Sequence, residues 1–403
     1  MGYLGYRLVS FGGLFVMLGI AYALSENRRA ISLRVVAWGL ALQLILVLLV
    51  LYTAPGRWLF GGVEKVFGGI LSFSNEGAKF VFGSLATEPT YGAFVAFQVL
   101  PIVIFVSSLS AVLYHFRVIQ KVVGAMAYVM QRTMKISGAE SLSAALFVFM
   151  GIESVTAIGK YVAKMTRSEL FVVMTAFLAT IAASVMAAYV SFGASAGHLL
   201  AASLMSAPAA IVIAKVMIPE TGVPATAGHV RFDPEVTTLN TVDAAATGAA
   251  QGVVLAFNIA AMLIAFVALV ALVNFVLRWA TGHTLHEVLG WAFSGFAAVM
   301  GVPRGEWLQV GQLLGVKTVL NEFLAYGQMQ EMVGQGLLSQ RAVVISTYAL
   351  CGFSNFGSIA ILIGGLGGVA PERRSEVAAL GLKALIAGSL ACFMTACYAG
   401  MLI

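Results

Sequence analysis

The sequence predicts an all-α polytopic membrane protein, and three observations carry that expectation. Of its 403 residues 60% are hydrophobic and only 10% are charged, whereas about a quarter of an ordinary soluble domain is charged. Apolar segments of the roughly 20 residues needed to cross a hydrocarbon core recur along the chain. Several of them are interrupted by glycines and polar side chains, which hydrocarbon tolerates only where protein or a wet cavity satisfies the freed backbone groups.

In chain order, spans are predicted at 4–24 and 33–53, joined by the basic loop SENRRAIS. The excess of Lys and Arg places that loop in the cytoplasm. Residues 8–24 resemble a signal-peptide core, but Arg28, Arg29 and Arg34 follow the run more heavily than Arg7 precedes it. This favours an uncleaved first helix with its N-terminus outside. Residues 55–72 mix Trp, Phe and Leu with Glu64 and Lys65, a pattern for an interfacial helix on the outer face. A span at 97–117 is followed by an amphipathic helix over 118–136 that carries Lys121, Arg132 and Lys135.

Residues 140–163 are long enough to span but are interrupted by Gly151 and Glu153, which predicts a re-entrant hairpin. Its flank of Lys160, Lys164 and Arg167 makes it enter from the cytoplasm. Spans follow at 168–190 and 198–217, then a polar connection at 218–242 that holds three of the nine prolines and reads as an exposed loop. Next come a long apolar segment at 244–278 and a second interfacial helix at 283–299. Residues 302–329, with Lys317, Asn321 and Glu322, are too polar for a span and predict a second hairpin, entering from outside. An interrupted span at 340–366, the basic loop PERRSE and a last span at 376–401 complete the chain.

An internal repeat supports the opposed hairpins. ELFVVMTAFLATIAAS, Glu169–Ser184, aligns without gaps on QRAVVISTYALCGFSN, Gln340–Asn355, with Val-Val over Val-Val. Glu153 lies 19 residues before Val172, and Glu322 lies 21 before Val343. Inverted repeats of this kind are built into secondary transporters. The expected organisation is therefore scaffold helices with an interfacial helix (1–136), a first repeat (137–217), a loop with a long helix and interfacial helix (218–300), and a second repeat (301–403).

Candidate chemistry lies at the breaks. Ionisable residues at membrane depth usually face a cavity or a partner, so Glu153 and Glu322 are functional candidates. A Glu322–Lys317 pair holding the hairpin together is the structural alternative. In LCGFSNFGSI, Leu350–Ile359, Asn355 and Ser358 share a helix face if the helix persists there, and Phe353 offers a flat stacking surface. Carboxylates and an amide for hydroxyls, with a ring for a flat heterocycle, suit a sugar joined to a base.

Enzymatic readings are poorly supported. GASAG at 193–197 has the letters of a nucleophile elbow without the strand that motif needs, and GLGGVA at 365–370 follows a helix rather than a strand. His115, His198, His229, His283 and His286 lack metal-ligand spacing, so no cofactor is expected. Cys351, Cys392 and Cys397 lie in apolar segments and form no disulfide framework. The formal charge of +6 fits basic cytoplasmic loops better than nucleic-acid binding, since no basic cluster is interleaved with aromatics.

Seven stretches together resemble the concentrative nucleoside transporters. They are FQVLPIVIFVSSLSAVLY (97–114), KMTRSEL (164–170), ATIAASVMAAYVSFG (179–193), LLAASLMSAPA (199–209), NEFLAY (321–326), TYALCGFSNFGSIAILIGGL (347–366) and ALIAGSLACFMTACYAG (384–400). The resemblance implies eight spanning helices, two opposed hairpins, a homotrimer among membrane lipid, and cation-coupled nucleoside uptake across the inner membrane. It implies ribose contacts at Glu322, Asn355 and Ser358, base packing at Phe353 and Val185, and a base-side glutamate at Glu153.

One departure stands out. Where the family usually reads G-Q-T-E, this chain reads Met150-Gly151-Ile152-Glu153. Gly151 replaces the amide that normally reaches the base, and Ile152 replaces a threonine that helps hold sodium. A second expected sodium ligand, an asparagine, is Leu146. A residual sodium site would rest on Thr180 with the carbonyls of Phe149 and Ile181. The expectation is therefore proton-coupled symport, the proton carried by Glu153 or Glu322. Sodium-coupled or uncoupled transport with altered base selectivity is the alternative, and a non-transporting receptor or scaffold of the same fold is another.

Overall fold

A computed structural model describes residues 2–87, 94–227 and 238–403. The chain forms α1 (Tyr3–Ala23), α2 (Leu33–Tyr52), α3 (Ala54–Phe82), the short α4 (Ser84–Thr87), α5 (Leu100–His115), α6 (Val118–Met134), α7 (Gly138–Phe147), α8 (Val155–Val162) and α9 (Arg167–Ala179). It continues with α10 (Ala183–Ser191), α11 (Ala196–Met217), α12 (Thr241–Thr281), α13 (Leu285–Val299), α14 (Trp307–Val319), α15 (Glu322–Gly334), α16 (Gln340–Leu350), α17 (Phe356–Val369) and α18 (Arg374–Leu402). No strand occurs among the described residues.

Among the described residues seven segments are long and apolar enough to cross a membrane, and the interrupted segment expected at 340–366 forms the helix pair α16–α17. The segments expected to lie in the interface form helices, α3, which runs on to Phe82, and α13. Much of the polar connection at 218–242, including His229, lies outside the described residues.

Helix starts follow the capping rules. Ser137 with Glu140, Thr166 with Glu169, and Thr284 with Glu287 form reciprocal capping boxes at α7, α9 and α13. Each satisfies amide donors that a helix cannot pair internally. Within the most apolar window of each span, 94% of residues are buried along Arg167–Ser191 and 89% along α11, against 17% along α12. The core therefore sits on α9, α10 and α11, while α12 presents most of its surface outward.

Helix α12 packs along α5 through Gly248 and Gly252. A Cβ at Gly252 would lie 2.7 Å from the Ile104 Cα, so only a glycine admits this approach.

The repeat is plain in the architecture. A pair of short helices (α7–α8), a broken helix (α9–α10) and a long helix (α11) recur as α14–α15, α16–α17 and α18. The span expected as continuous over 168–190 is instead broken at Thr180–Ala182. The gapless alignment superimposes Ala179 on Leu350, and these are the last residues of α9 and α16. The two breaks touch where the Phe353 amide donates to the Thr180 carbonyl at 3.2 Å, and the Ala183 amide donates to the Phe149 carbonyl, between α7 and α8, at 3.2 Å. The Cys392 thiol faces both Ala179 and Cys351 carbonyls at 3.6 and 3.5 Å. Backbone groups released by the breaks are thus satisfied by each other, by the α7–α8 connection and by the Cys392 thiol of α18, as buried peptide groups require.

Candidate functional site

Where the breaks meet the turn between α14 and α15, the protein forms a cavity of about 250 Å³. Gly151, Ile152, Val185, Glu322, Phe353, Asn355 and Ser358 all line it, so the fold brings together seven of the eight expected substrate contacts. The side chain of the eighth, Glu153, lies outside the described residues; its backbone belongs to a short 3-10 turn over Ile152–Ser154.

The polar side of the cavity is built from two helix N-termini. Asn321 caps α15 by accepting from the Leu324 amide at 2.9 Å, and Asn355 caps α17 by accepting from the Ser358 amide at 2.8 Å. Asn355 and Ser358 therefore meet through a cap rather than on one helix face, because α17 begins only at Phe356. Both caps turn the positive end of a helix dipole toward Glu322.

Glu322 is the centre of a buried network and is only 4% exposed. The Tyr189 hydroxyl donates to its Oε1 at 2.9 Å, and Asn355 Nδ2 donates to its Oε2 at 2.9 Å. The alternative of a Glu322–Lys317 pair is not what the fold adopts: Lys317 donates to the Ala349 carbonyl at 2.9 Å.

The other side is apolar. The rings of Phe353 and Phe177 lie 5.7 Å apart with a 40° tilt, Val185 is buried beside them, and α12 contributes Leu255, Ile259, Met262 and Leu263. Ile152 packs on α17, where a Cβ at Gly365 would come within 2.5 Å of its Cγ1. A few placed polar groups facing an apolar wall is the usual form of a small-molecule site.

Sequence reasoning missed Tyr189, Asn258, Asn321, Phe177 and Ser184. Asn258 carried a signal, being an amide inside the apolar run VVLAFNIAAMLI. Tyr189 lies four residues after Val185 in α10, one turn on, but an isolated tyrosine in a span has no distinctive pattern.

The residues expected for a residual sodium site gather at the crossing of the breaks. The Thr180 hydroxyl donates to the Ala176 carbonyl at 2.8 Å, leaving its oxygen as an acceptor. Leu146 is buried, and its carbonyl accepts from the Phe149 and Met150 amides at 3.0 and 2.9 Å.

Paired broken helices flanking a half-polar cavity in an apolar helical chain define a membrane transporter of the secondary class. The comparisons carry the assignment further. Residues 12–85 and 198–400 match the N- and C-terminal profiles described as Na+ dependent nucleoside transporter, and 96–196 match one described as nucleoside recognition. The chain is 41% identical to an uncharacterized transporter of Haemophilus influenzae over 98% of both chains. It is 40% identical to sodium/nucleoside cotransporter 1 of Mus musculus, covering 98% of this chain and 64% of that one. Solute carrier family 28 member 3 of Rattus norvegicus is 40% identical over 98% of this chain and 59% of its own length, so this chain spans about three fifths of these mammalian relatives. CNTnw in an inward-facing substrate-bound state superposes with a TM-score of 0.91 at 40% identity, covering 98% of this chain and 97% of that one. The chain belongs to the concentrative, sodium-dependent nucleoside transporter family, a family of transporters rather than enzymes.

The expected proton coupling is overturned by this assignment, because the matched profiles describe sodium dependence. Leu146 and Ile152 remove two side-chain oxygens, but the Thr180 hydroxyl and the Phe149 and Ile181 carbonyls expected beside them remain. Selective sites depend on the number and field of all coordinating dipoles, backbone carbonyls at broken helices included.

Proposed function

We propose that this protein imports nucleosides in symport with sodium. The observation that carries the reading is the Tyr189–Glu322–Asn355 network facing the Phe353 and Val185 wall. In this reading the sugar hydroxyls bind Glu322, Asn355 and Ser358, and the base packs on Phe353 and Val185. Gly151 opens room beside the base, while Glu153 and Ile152 border it. Sodium enters near Thr180 and the carbonyls of Phe149 and Ile181, as the sodium-dependent family membership supports.

The short helix pairs α7–α8 and α14–α15 act as opposed re-entrant hairpins within the two repeats, 137–217 and 301–403. Residues 1–136 and 218–300 form the scaffold, and the unit works as a homotrimer in the cell inner membrane, as the family resemblance supports. Uptake of labelled uridine into vesicles reconstituted with the purified protein tests the reading. Saturable accumulation is the expected result; vesicles no more permeable than protein-free controls would reduce the protein to a receptor or scaffold.

A further inference from the structure

The Tyr189 hydroxyl is spent on one atom. Its ring is fully buried and stacks on Tyr326 with centroids 4.5 Å apart and planes 22° apart, with Phe323 edge-on at 5.1 Å. Packing therefore fixes the ring whether or not the hydroxyl is present. The hydroxyl donates to Glu322 Oε1 at 2.9 Å. Tyr189 belongs to the first repeat and Glu322 to the second, so this bond crosses between the two.

The consequence concerns the other carboxylate oxygen. Asn355 reaches Oε2 through Nδ2, while its own Oδ1 is committed to the Ser358 amide, so the amide cannot flip without losing the α17 cap. Oε2 and Nδ2 thus form an acceptor and a donor side by side, at 2.9 Å, which is the complement of one hydroxyl group. A carboxylate free to rotate about its last torsion would present this pair only part of the time. Tyr189 removes that freedom by holding Oε1.

We propose that Tyr189 is a positioning residue for sugar recognition: it locks Glu322 so that Oε2, with Asn355, is presented to a sugar hydroxyl. The inference rests on the nucleoside reading of this cavity. It makes Tyr189 a determinant of discrimination between a nucleoside and its deoxy analogues, although the ring itself does not line the cavity. A site built to hydrogen-bond a hydroxyl rejects the analogue that lacks it, because its own polar groups are then left unpaired.

The test is equilibrium binding of uridine, 2′-deoxyuridine and 3′-deoxyuridine to purified wild type, Tyr189→Phe, Tyr326→Phe and Glu322→Gln. Tyr326 is the control, since it shares the stack but its hydroxyl donates to the Thr347 carbonyl at 2.9 Å, away from the carboxylate. In Tyr189→Phe, uridine should bind about tenfold more weakly, the scale of one hydrogen bond to a charged group. Affinity for the analogue lacking the hydroxyl that Glu322 takes should barely change, so the preference ratio collapses, while Tyr326→Phe keeps the wild-type ratio.

Equal weakening of all three ligands in Tyr189→Phe, or a wild-type ratio in that variant, would overturn the positioning role. If wild type binds no uridine, or Glu322→Gln binds all three ligands as wild type does, the nucleoside reading of the cavity falls and takes the inference with it. Loss of uridine preference in Glu322→Gln with no change in Tyr189→Phe removes the inference about Tyr189 alone.

Discussion

At the scale of single residues, the proposed recognition of a nucleoside depends most on Glu322 and Asn355. Both are buried, and each is held by neighbours before any ligand arrives. A hydrogen bond to a charged group contributes about 1.5–3 kcal/mol, or about 10- to 150-fold in affinity. Glu322→Gln and Asn355→Ala should each weaken nucleoside binding by that factor while the purified variants retain their fold, measured by calorimetric titration alongside circular dichroism. Near-wild-type affinity in both would remove them from the site. These two residues were legible because polar groups in an apolar run are costly and need a reason. Tyr189 was not, since its role depends on a partner 133 positions away that only the fold brings near.

Among elements, the critical feature is the contact between the two broken helices. The break in α16–α17 was legible from its glycines and asparagine, whereas ATIAAS at the α9–α10 break contains neither glycine nor proline. Small apolar residues there are compatible with a continuous helix, so local sequence did not reveal it. The gapless repeat did hold the information, because Leu350 and Ala179 stand in register at the two helix ends.

Gly352 sits where the breaks touch. A Cβ there would meet the Cys392 sulfur at 2.5 Å and the Ala179 carbonyl oxygen at 2.9 Å. The sulfur can turn aside but the backbone cannot, so Gly352→Ala should cost about 1–3 kcal/mol, as overpacking in a tight core does. Thermal unfolding in detergent should show a lowered midpoint. Pairing it with Cys392→Ala should restore only part of the loss, and full restoration would show that the backbone contact is unimportant.

Across the whole molecule, one polar network ties together distant segments, the loop after α1, the α8–α9 connection and the start of α18. Glu26, in the loop after α1, accepts from Arg167 at 3.1 and 3.3 Å and from Lys383 at 2.8 Å. Arg373 donates to the Met165 carbonyl at 2.7 Å and pairs with Glu376 at 2.8 Å, so the end of α8 is joined to the start of α18. The hydrogen bonds from Arg167, against an opposing effect of partial burial and with help from Lys383, hold the Glu26 carboxyl below its ordinary value. A carboxyl lowered by folding adds stability above its unfolded value, and that contribution is lost as pH falls through the folded value. Glu26→Gln should therefore be less stable than wild type at neutral pH, by about 0.2–1 kcal/mol per exposed pair lost. The difference should vanish as pH drops below the ordinary carboxylate range near about 4. Melting curves of both proteins from pH 7 to pH 3 check this, and a gap that stays constant with pH would contradict it.

Sodium-driven nucleoside import through the Glu322 cavity is measured as labelled uridine uptake into sealed vesicles under an inward sodium gradient. Parallel vesicles have choline in place of sodium, and wild type is compared with Glu322→Gln. Uptake should be saturable, require sodium and be lost in Glu322→Gln. Uptake of equal rate in choline, or full sodium-dependent uptake by Glu322→Gln, would contradict it.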